Sequence, residues 1–294
     1  MSNSIAYFKA YTNMLDKINQ NGADTAILKG SNIEYKFIET NAKSILLQEL
    51  TVTGLGTYTR SGGYPTTGDA DLTWVEYTMA QDRAAKFTLD TLDSKQAPLD
   101  IMTVAAEFNR TKVIPEMDAY RFEKICTLCG LDVSADLTYD TALAAIDTGI
   151  ETLDDAECPK GNRVMFVSNN MYKLMKNSGE FFNMRIASEM NGTINREITT
   201  FDDMPLIRVS AARFKNDFDF SATDGFSAAG SAKDINFIIA DVNAIAAVEQ
   251  YSKPKIITPE FNVDADAYVF GFRVFHDLFI PANKLENVYI HTKA

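Results

Sequence analysis

The spacing of apolar positions changes several times along this 294-residue chain, and each change marks an element. The first 30 residues show weak helical spacing, with apolar positions at Ile5, Phe8, Met14, Leu15 and Ile18. No cap or core partner accompanies them, so this segment reads as an arm. Ile45 to Val52 (ILLQELTV) reads as a strand by its apolar content. The glycine-rich stretch GLGTYTRSGGYPTTGDADLTW follows, and LTWVEYTM leads out of it as a second strand. Leu72 and Trp74, then Tyr77 and Met79, imply a one-residue irregularity such as a bulge. Together these pieces predict a hairpin with a flexible glycine tip. The hairpin from about Thr51 to Phe87 and the arm before Ile45 are expected to project from the body with few intrachain contacts, because neither has a local core.

From Pro98 the period becomes helical. Pro98 suits a first turn, and Ile101, Val104, Ala105 and Phe108 follow the i, i+3, i+4, i+7 pattern. Glu107 with Arg110, and Asp118 with Arg121, are spaced as surface pairs, and Gly130 is a natural stop. Pro115 lies inside this segment and should bend it or split it at about Ile114. A second helix is expected from Tyr139 to Asp155. RVMFVS (Arg163 to Ser168) reads as a short strand, and Ser168 as the N-cap of the helix NNMYKLMKNSG. MPLIRVS (Met204 to Ser210) reads as a strand and Asp217 to Lys233 as an exposed loop. INFIIADVNAIAAVEQ begins as a strand and continues as helix or loop. AYVFGFRVFHDLFI (Ala267 to Ile280) and NVYIHTK are strands. Strands and helices mix without a βαβ repeat, so the fold class is α+β.

Composition narrows the function. A hydrophobic content of 46% suffices for a sizeable core. No apolar run reaches the length of a membrane span, and the N-terminus lacks a basic start with an apolar block, so a cytoplasmic chain with no membrane partner is expected. The net charge of −12 argues against gripping nucleic acid through a broad basic surface. Gly54 and Gly56 begin a G-x-G, but Thr59 stands where a dinucleotide loop needs its third glycine. The chain has no G-x-S-x-G, Walker A or H-E-x-x-H motif. Its two histidines, His276 and His291, read as packed on strands. Cys126 and Cys129 form C-x-x-C, but only Cys158 and those distant histidines could complete a zinc site, so inert thiols are expected. Acidic turns occur at Asp154, Asp155 and Glu157, at Asp202 and Asp203, at Asp264 and Asp266, and at Asp217, Asp219 and Asp224. The last group misses the calcium-loop spacing. No catalytic residue, cofactor or metal site is expected.

Particular segments carry a resemblance. TVTGLGTYTRSGGYPTTGDADLTW followed by QDRAAKFTLD is similar to the extended loop of the major capsid proteins of tailed bacteriophages. EFNRTKVIPEMDAYRFEKI is similar to their spine helix, internal proline included. GNRVMFVSNNMYKLMKNSGEF and DDMPLIRV resemble their axial domain. The resemblance runs from about Ile5 to Lys293. It implies an N-terminal arm over residues 1–48, an extended loop over 49–90 and the spine helix of a peripheral domain over 91–131. It further implies an axial domain over 132–259, a peripheral strand over 260–285 and a return strand over 286–294. In that family the loop reaches over a neighbouring subunit, so Tyr58, Arg60, Tyr64 and Trp74 become the candidate subunit contacts.

The implied function is a virion shell of pentamers and hexamers, assembled in the host cytoplasm around double-stranded DNA without sequence-specific binding. Implied partners are other copies, a portal and a scaffolding protein; a mature-like chain is the alternative to separate scaffolding. Some relatives join subunits by a lysine–asparagine bond, but no lysine lies between Lys43 and Lys86, so the loop tip lacks the amine. Two other readings remain: an encapsulin-like cellular compartment, which shares the fold, and a soluble enzyme with an unrecognised carboxylate site.

Overall fold

The computed structural model describes residues 23–31, 33–38, 41–61, 69–91, 101–178, 198–221 and 225–294. Most of the N-terminal arm, Tyr64 and the helix start expected at Pro98 lie outside them. The strands and helices in the first part of the chain are β1 (Tyr35–Ile38), β2 (Asn41–Val52), β3 (Ala70–Thr78), β4 (Gln81–Asp90), α1 (Ile101–Phe108) and α2 (Ile114–Leu128). Next come β5 (Leu131–Ser134), α3 (Ala142–Asp155), β6 (Arg163–Ser168), α4 (Asn169–Asn177), β7 (Thr200–Phe201) and β8 (Met204–Val209). The last are β9 (Phe218–Asp219), β10 (Ser227–Ala228), β11 (Ile235–Asp241), β12 (Ala246–Ile257), β13 (Ala267–Phe279) and β14 (Val288–Thr292).

A six-stranded mixed sheet runs in the order β5-β14-β11-β6-β8-β7. Strands β6 and β11 are buried at every position, which only a sheet covered on both faces requires. Val164 and Phe166 meet α2 through Phe122 and Ile125. Met165 and Val167, pointing the other way, meet α3 and α4 through Ile146, Met171 and Met175. Ser168 caps α4 as its sequence position suggests, its hydroxyl accepting from the Met171 amide at 3.0 Å. A second, antiparallel sheet orders β12-β13-β4 and buries Phe270, Phe272 and Val274 under Ala105, Val113 and Met117. One continuous helical segment, Ile101 to Leu128, thus roofs both sheets.

Pro115 does not split that segment. Between α1 and α2 the chain makes a π turn over Asn109–Val113, and the Ile114 amide bonds back to the Asn109 carbonyl, five residues away. A proline cannot donate to the carbonyl four residues before it, and its ring crowds that carbonyl. The wider turn relieves both problems without breaking the helix.

Other expectations need correction. Asp118 and Arg121 are not a surface pair; both are fully buried. β3 has no bulge, because its register with β2 is unbroken from Ala70 to Thr78. The segment after β11 passes through one short 3-10 turn and becomes the long strand β12, with neither helix nor open loop. Gly130 keeps a negative φ, so it is no left-handed cap; a Cβ there would come 3.3 Å from the Leu285 carbonyl oxygen. Asp217 to Lys233 is not simply exposed. Its β9–β10 pair carries Phe218, Phe220 and Phe226 as an aromatic group, with Phe220 against Tyr120. β4 does not project either, since it pairs with β13 from Gln81 to Asp90. The described end of the arm is also docked: Leu28 is buried in the core beside Phe122 and Ile125.

Gly149 of α3 offers a direct test of this packing. A Cβ at that position would come within 2.8 Å of the Tyr289 ring. Alanine gains about 1 kcal/mol of helix propensity over glycine, but overpacking costs about 1–3 kcal/mol. Gly149→Ala should therefore lower the midpoint of a urea or thermal melt; an unchanged or raised midpoint would show that α3 moves freely on the sheet.

Candidate functional site

The hairpin β2–β3 has two unlike faces. With β1 it forms a three-stranded sheet in the order β1-β2-β3. On the inner face Ile45 and Leu47 are fully buried and pack with Met79, Val248, Phe275 and Phe279. Tyr77 lies across β2 from Ile45, touches Phe279 ring to ring, and donates its hydroxyl to Glu49 at 3.1 Å. This face is the root that holds the hairpin to the body.

The outer face follows from the register. Gln48 opposes Trp74, Leu50 opposes Leu72, and Val52 opposes Ala70. Side chains alternate along a strand, so these six share one face. Trp74 is half-buried at its root, with the Lys36 ammonium 4.4 Å from its ring centre. Beyond it Leu50, Leu72 and Val52 are exposed, and at the tip Leu55 is fully exposed. Glycine at 54 meets no neighbour where a Cβ would stand. The result is an apolar strip running outward from Trp74 to the tip. A strip of this kind on a two-stranded ribbon lacks a core to bury it and is the mark of an interaction surface.

Of the candidate contacts, Tyr58 and Arg60 sit exposed at the tip. Trp74 is brought into the strip but is partly engaged by its own chain, and Tyr64 lies outside the described residues. The aliphatic members Leu50, Val52, Leu55 and Leu72 were missed by attention to aromatic residues. Their signal was present: Q-E-L-T-V and A-D-L-T-W place Leu50 and Leu72 at matching positions either side of the glycine tip.

Reactive groups elsewhere are committed to packing. His276 is buried against the Tyr120 ring, and burial lowers its pKa to about 3. His291 lies beside Phe237 and meets Asn236 at 3.1 Å, with burial lowering its pKa. Burial pushes both thiols of the C-x-x-C up, Cys129 to about 12. The Cys129 thiol donates to the Val288 carbonyl at 2.9 Å. Asp202 and Asp203, both at positive φ, form the two-residue turn between β7 and β8. Asp154 pairs with Lys160 and Arg163. Among the described residues no group of three His, Cys, Asp or Glu side chains could hold a metal, and no helix is long and apolar enough to cross a membrane.

No protein-family model and no curated protein sequence matches this chain. Solved structures do. The mature capsid of bacteriophage PhiM1 superposes with a TM-score of 0.63 at 10% identity, over 88% of this chain and 84% of that one. The capsid of cyanophage P-SCSP1u gives a TM-score of 0.63 at 12% identity, over 86% and 84%. A virus-like particle from Pyrococcus furiosus gives 0.56 at 11% identity, over 97% and 99%.

Two measurements probe the site. Leu50→Thr with Leu72→Thr, which keep β propensity and add no like charges across the pair, should leave the melt within about 1 kcal/mol of the parent and lower any concentration-dependent light scattering; scattering unchanged from the parent would remove the strip as a contact. His276 gives a pH test. Its native pKa of about 3 lies below the ordinary value of 6.5. The unfolded chain therefore takes up a proton that the native state refuses. The contribution of this residue is full above pH 6.5 and is lost as pH falls towards 3. Between pH 7 and pH 5.5 it removes roughly 1 kcal/mol. His276→Phe should flatten that part of the urea-stability profile by this amount; an unchanged slope would mean that His276 takes up its proton as readily in the native state as in the unfolded chain. The α+β architecture and the superpositions over most of the chain converge: the protein has the fold of the tailed-phage major capsid proteins, a fold it shares with an archaeal virus-like particle.

Proposed function

We propose that the protein is a viral major capsid protein whose copies assemble into pentamers and hexamers and close into a shell around double-stranded DNA. The observation that carries this reading is the apolar outer strip of the hairpin, which the described residues leave uncovered, on a fold shared with mature phage capsids. A neighbouring copy supplies the missing cover. Contacts that are identical and head-to-tail generate rings, and rings joined at fixed angles close. In this scheme the β12-β13-β4 sheet with α1 and the first turns of α2 is the peripheral part, which takes β12 (Ala246–Ile257) out of the 132–259 span expected for the axial domain because it pairs with β13, and the six-stranded sheet with α3 and α4 is the axial part at the capsomer centre. The hairpin is the loop laid on the neighbour, with Tyr58, Arg60, Tyr64 and Trp74 among its contacts. The acidic net charge suits a container that does not grip its nucleic acid. A portal and a scaffolding protein complete the assembly, which takes place in the host cytoplasm and ends in the virion. No catalysis is required of the chain.

The archaeal virus-like particle supports a second reading, because the superposition spans nearly all of both chains. A cellular compartment of the encapsulin kind would be built from the same contacts and hold protein.

The two readings separate on contents. Particles purified from the native source and treated with nuclease should show closed shells by electron microscopy and release protected double-stranded DNA on disruption. Shells holding a protein cargo and no DNA would establish the compartment, and a small soluble oligomer under all conditions would exclude both. Without a lysine between Lys43 and Lys86, particles boiled in detergent should run as single chains of about 32.6 kDa. A ladder of covalent multimers would place a cross-link elsewhere in the chain.

A further inference from the structure

Arg121 is a fully buried cation that makes no ion pair among the described residues. Its Nη1 donates to the Thr25 hydroxyl at 2.8 Å, while its Nε and Nη2 are buried without a partner. Neither nearby acid serves it. An ionised carboxylate has about four acceptor sites. On Asp118 they are taken by the Asp24 amide, the Thr25 amide, the Thr25 hydroxyl and Arg213. Glu249 holds the Lys29 ammonium at 2.6 Å and leaves Arg121 Nε and Nη2 unbonded. A guanidinium stays protonated when buried, and a buried charge with no bonded acceptor is strongly unfavourable.

The surroundings of Arg121 are rich in donors. His276 of β13 lies opposite Glu249 on one side and opposite Gln81 of β4 on the other. Cross-strand partners share a face of the sheet. The His276 ring packs on Tyr120 of the roof at 5.3 Å between centres, so this row faces the helix that carries Arg121. Gln81 Nε2 and His276 Nδ1 are likewise buried without partners. The charges that reach His276 are those of Arg121 and Lys29, both positive. Desolvation raises the Asp24 carboxyl, and each proton it takes up leaves the cluster shorter of negative charge. The place is closed yet reachable. Thr25 and Arg121 have 0% exposure. A groove of about 720 Å³ between the roof and β4 extends inward to His276, past Arg83, Glu116 and Gly225. Residues this buried admit an ion of atomic size and exclude a larger oxyanion.

We propose that Arg121, Gln81 and His276 bind a small monovalent anion such as chloride, held by Arg121 Nε and Nη2 with the Gln81 amide and the Nδ1 side of the His276 ring beside it. Water suits these donors less well, because it must give its own hydrogens to acceptors and the acids here are engaged. An anion needs no acceptor and supplies the charge that Arg121 requires. It ties together the segment at Thr25, the helical roof and the start of β4, where the hairpin rejoins the body. The site does not depend on the protein forming a shell.

Urea titrations of the full chain test it, at a concentration where light scattering shows no association. Ionic strength is held fixed while sodium chloride replaces sodium gluconate, whose anion is too large to enter. An ion that binds only the native state multiplies the folding constant by one plus the ratio of its concentration to its Kd. Once chloride exceeds Kd, each further tenfold rise should therefore raise the folding constant about tenfold, and bromide should act likewise. A folding constant indifferent to the exchange would overturn the proposal. Arg121→Met should abolish the chloride response. Gln81→Leu keeps the guanidinium and removes one donor, so it should shift the response to about tenfold higher chloride. If Arg121→Met does not fold, Gln81→Leu decides alone: an unmoved response would place the ion elsewhere and overturn the proposal. Crystals soaked in bromide locate the ion directly. An anomalous peak beside Arg121 Nε supports the site; a water there, with no anomalous signal, refutes it.

Discussion

Asp118 is a carboxylate with 0% exposure, and the arrangement of the body depends on keeping it satisfied. An ionised carboxylate in an apolar interior is tolerated only when its lone pairs are filled and a cation stands close. Here the amides of Asp24 and Thr25 donate to it at 3.0 and 3.2 Å, the Thr25 hydroxyl at 2.6 Å and the Arg213 guanidinium at 2.7 Å. Those donors come from the described start of the chain and from the turn after β8, while Asp118 itself sits on the helical roof. Arg121 reaches the same group through the Thr25 hydroxyl at 2.8 Å. Removing Arg213, the cation bonded to it directly, leaves the buried carboxylate without its counter-charge, a loss of several kcal/mol. Such a junction specifies one relative placement of three segments. Leu28, buried just beyond Thr25, and the Lys29–Glu249 pair extend the hold to β12.

A second buried acid, on β13, does the same at Tyr120, two residues further along the helix. Asp277 of β13 accepts the Tyr120 hydroxyl at 2.9 Å and the Ala80 amide at 2.8 Å. That ties the outgoing end of the hairpin to the same helix. Arg83 completes the set from β4, pairing with Glu116 and donating to the Phe220 and Gly225 carbonyls at 2.7 and 3.1 Å. The helical roof is thus fixed by polar contacts at Glu116, Asp118 and Tyr120, while its apolar residues serve two different sheets. Apolar contacts alone are non-directional and would allow the sheets to slide. The carboxylates set the register.

This division explains what could be read from the sequence. Elements whose signal is local were legible. The apolar run VMFV within RVMFVS, the Ser168 cap and the strand at Ala267 were placed almost to the residue, because burial on both faces and capping leave a mark within a few positions. The outer strip of the hairpin was half legible: the turn and the aromatics were visible, but the pairing of Leu50 with Leu72 depends on register. Asp118 was misread because i, i+3 spacing to an arginine looks the same on a solvated helix and on a buried one. The decisive partners, Asp24, Thr25 and Arg213, lie more than ninety residues away. β12 was misread for a related reason. Its alanines and glutamate suit a helix, and only pairing with β13 over its whole length makes it a strand.

The placement of rigidity has a consequence for assembly. The hairpin is firm at its root, where Tyr77 and Phe279 pack, and unsupported at its tip, where glycine and fully exposed Leu55 meet no part of the body. A tip that is ordered only on contact loses conformational entropy at that moment, which weakens each contact individually. In the proposed shell the same contact would recur in every subunit, so weak units would sum to a stable whole while wrong pairings could still dissociate. The π turn lies within the part of the roof that packs on the β12-β13-β4 sheet, since Ala105 before it and Met117 after it share one core with Phe270, Phe272 and Val274. Pro115 removes one amide donor there and so makes that turn the place where the helical ladder is least determined. Beyond that turn the helix is held on the β12-β13-β4 sheet by Arg83 to Glu116 and by Tyr120 to Asp277, so a change of direction at Asn109–Val113 moves α1 and leaves the two sheets in register.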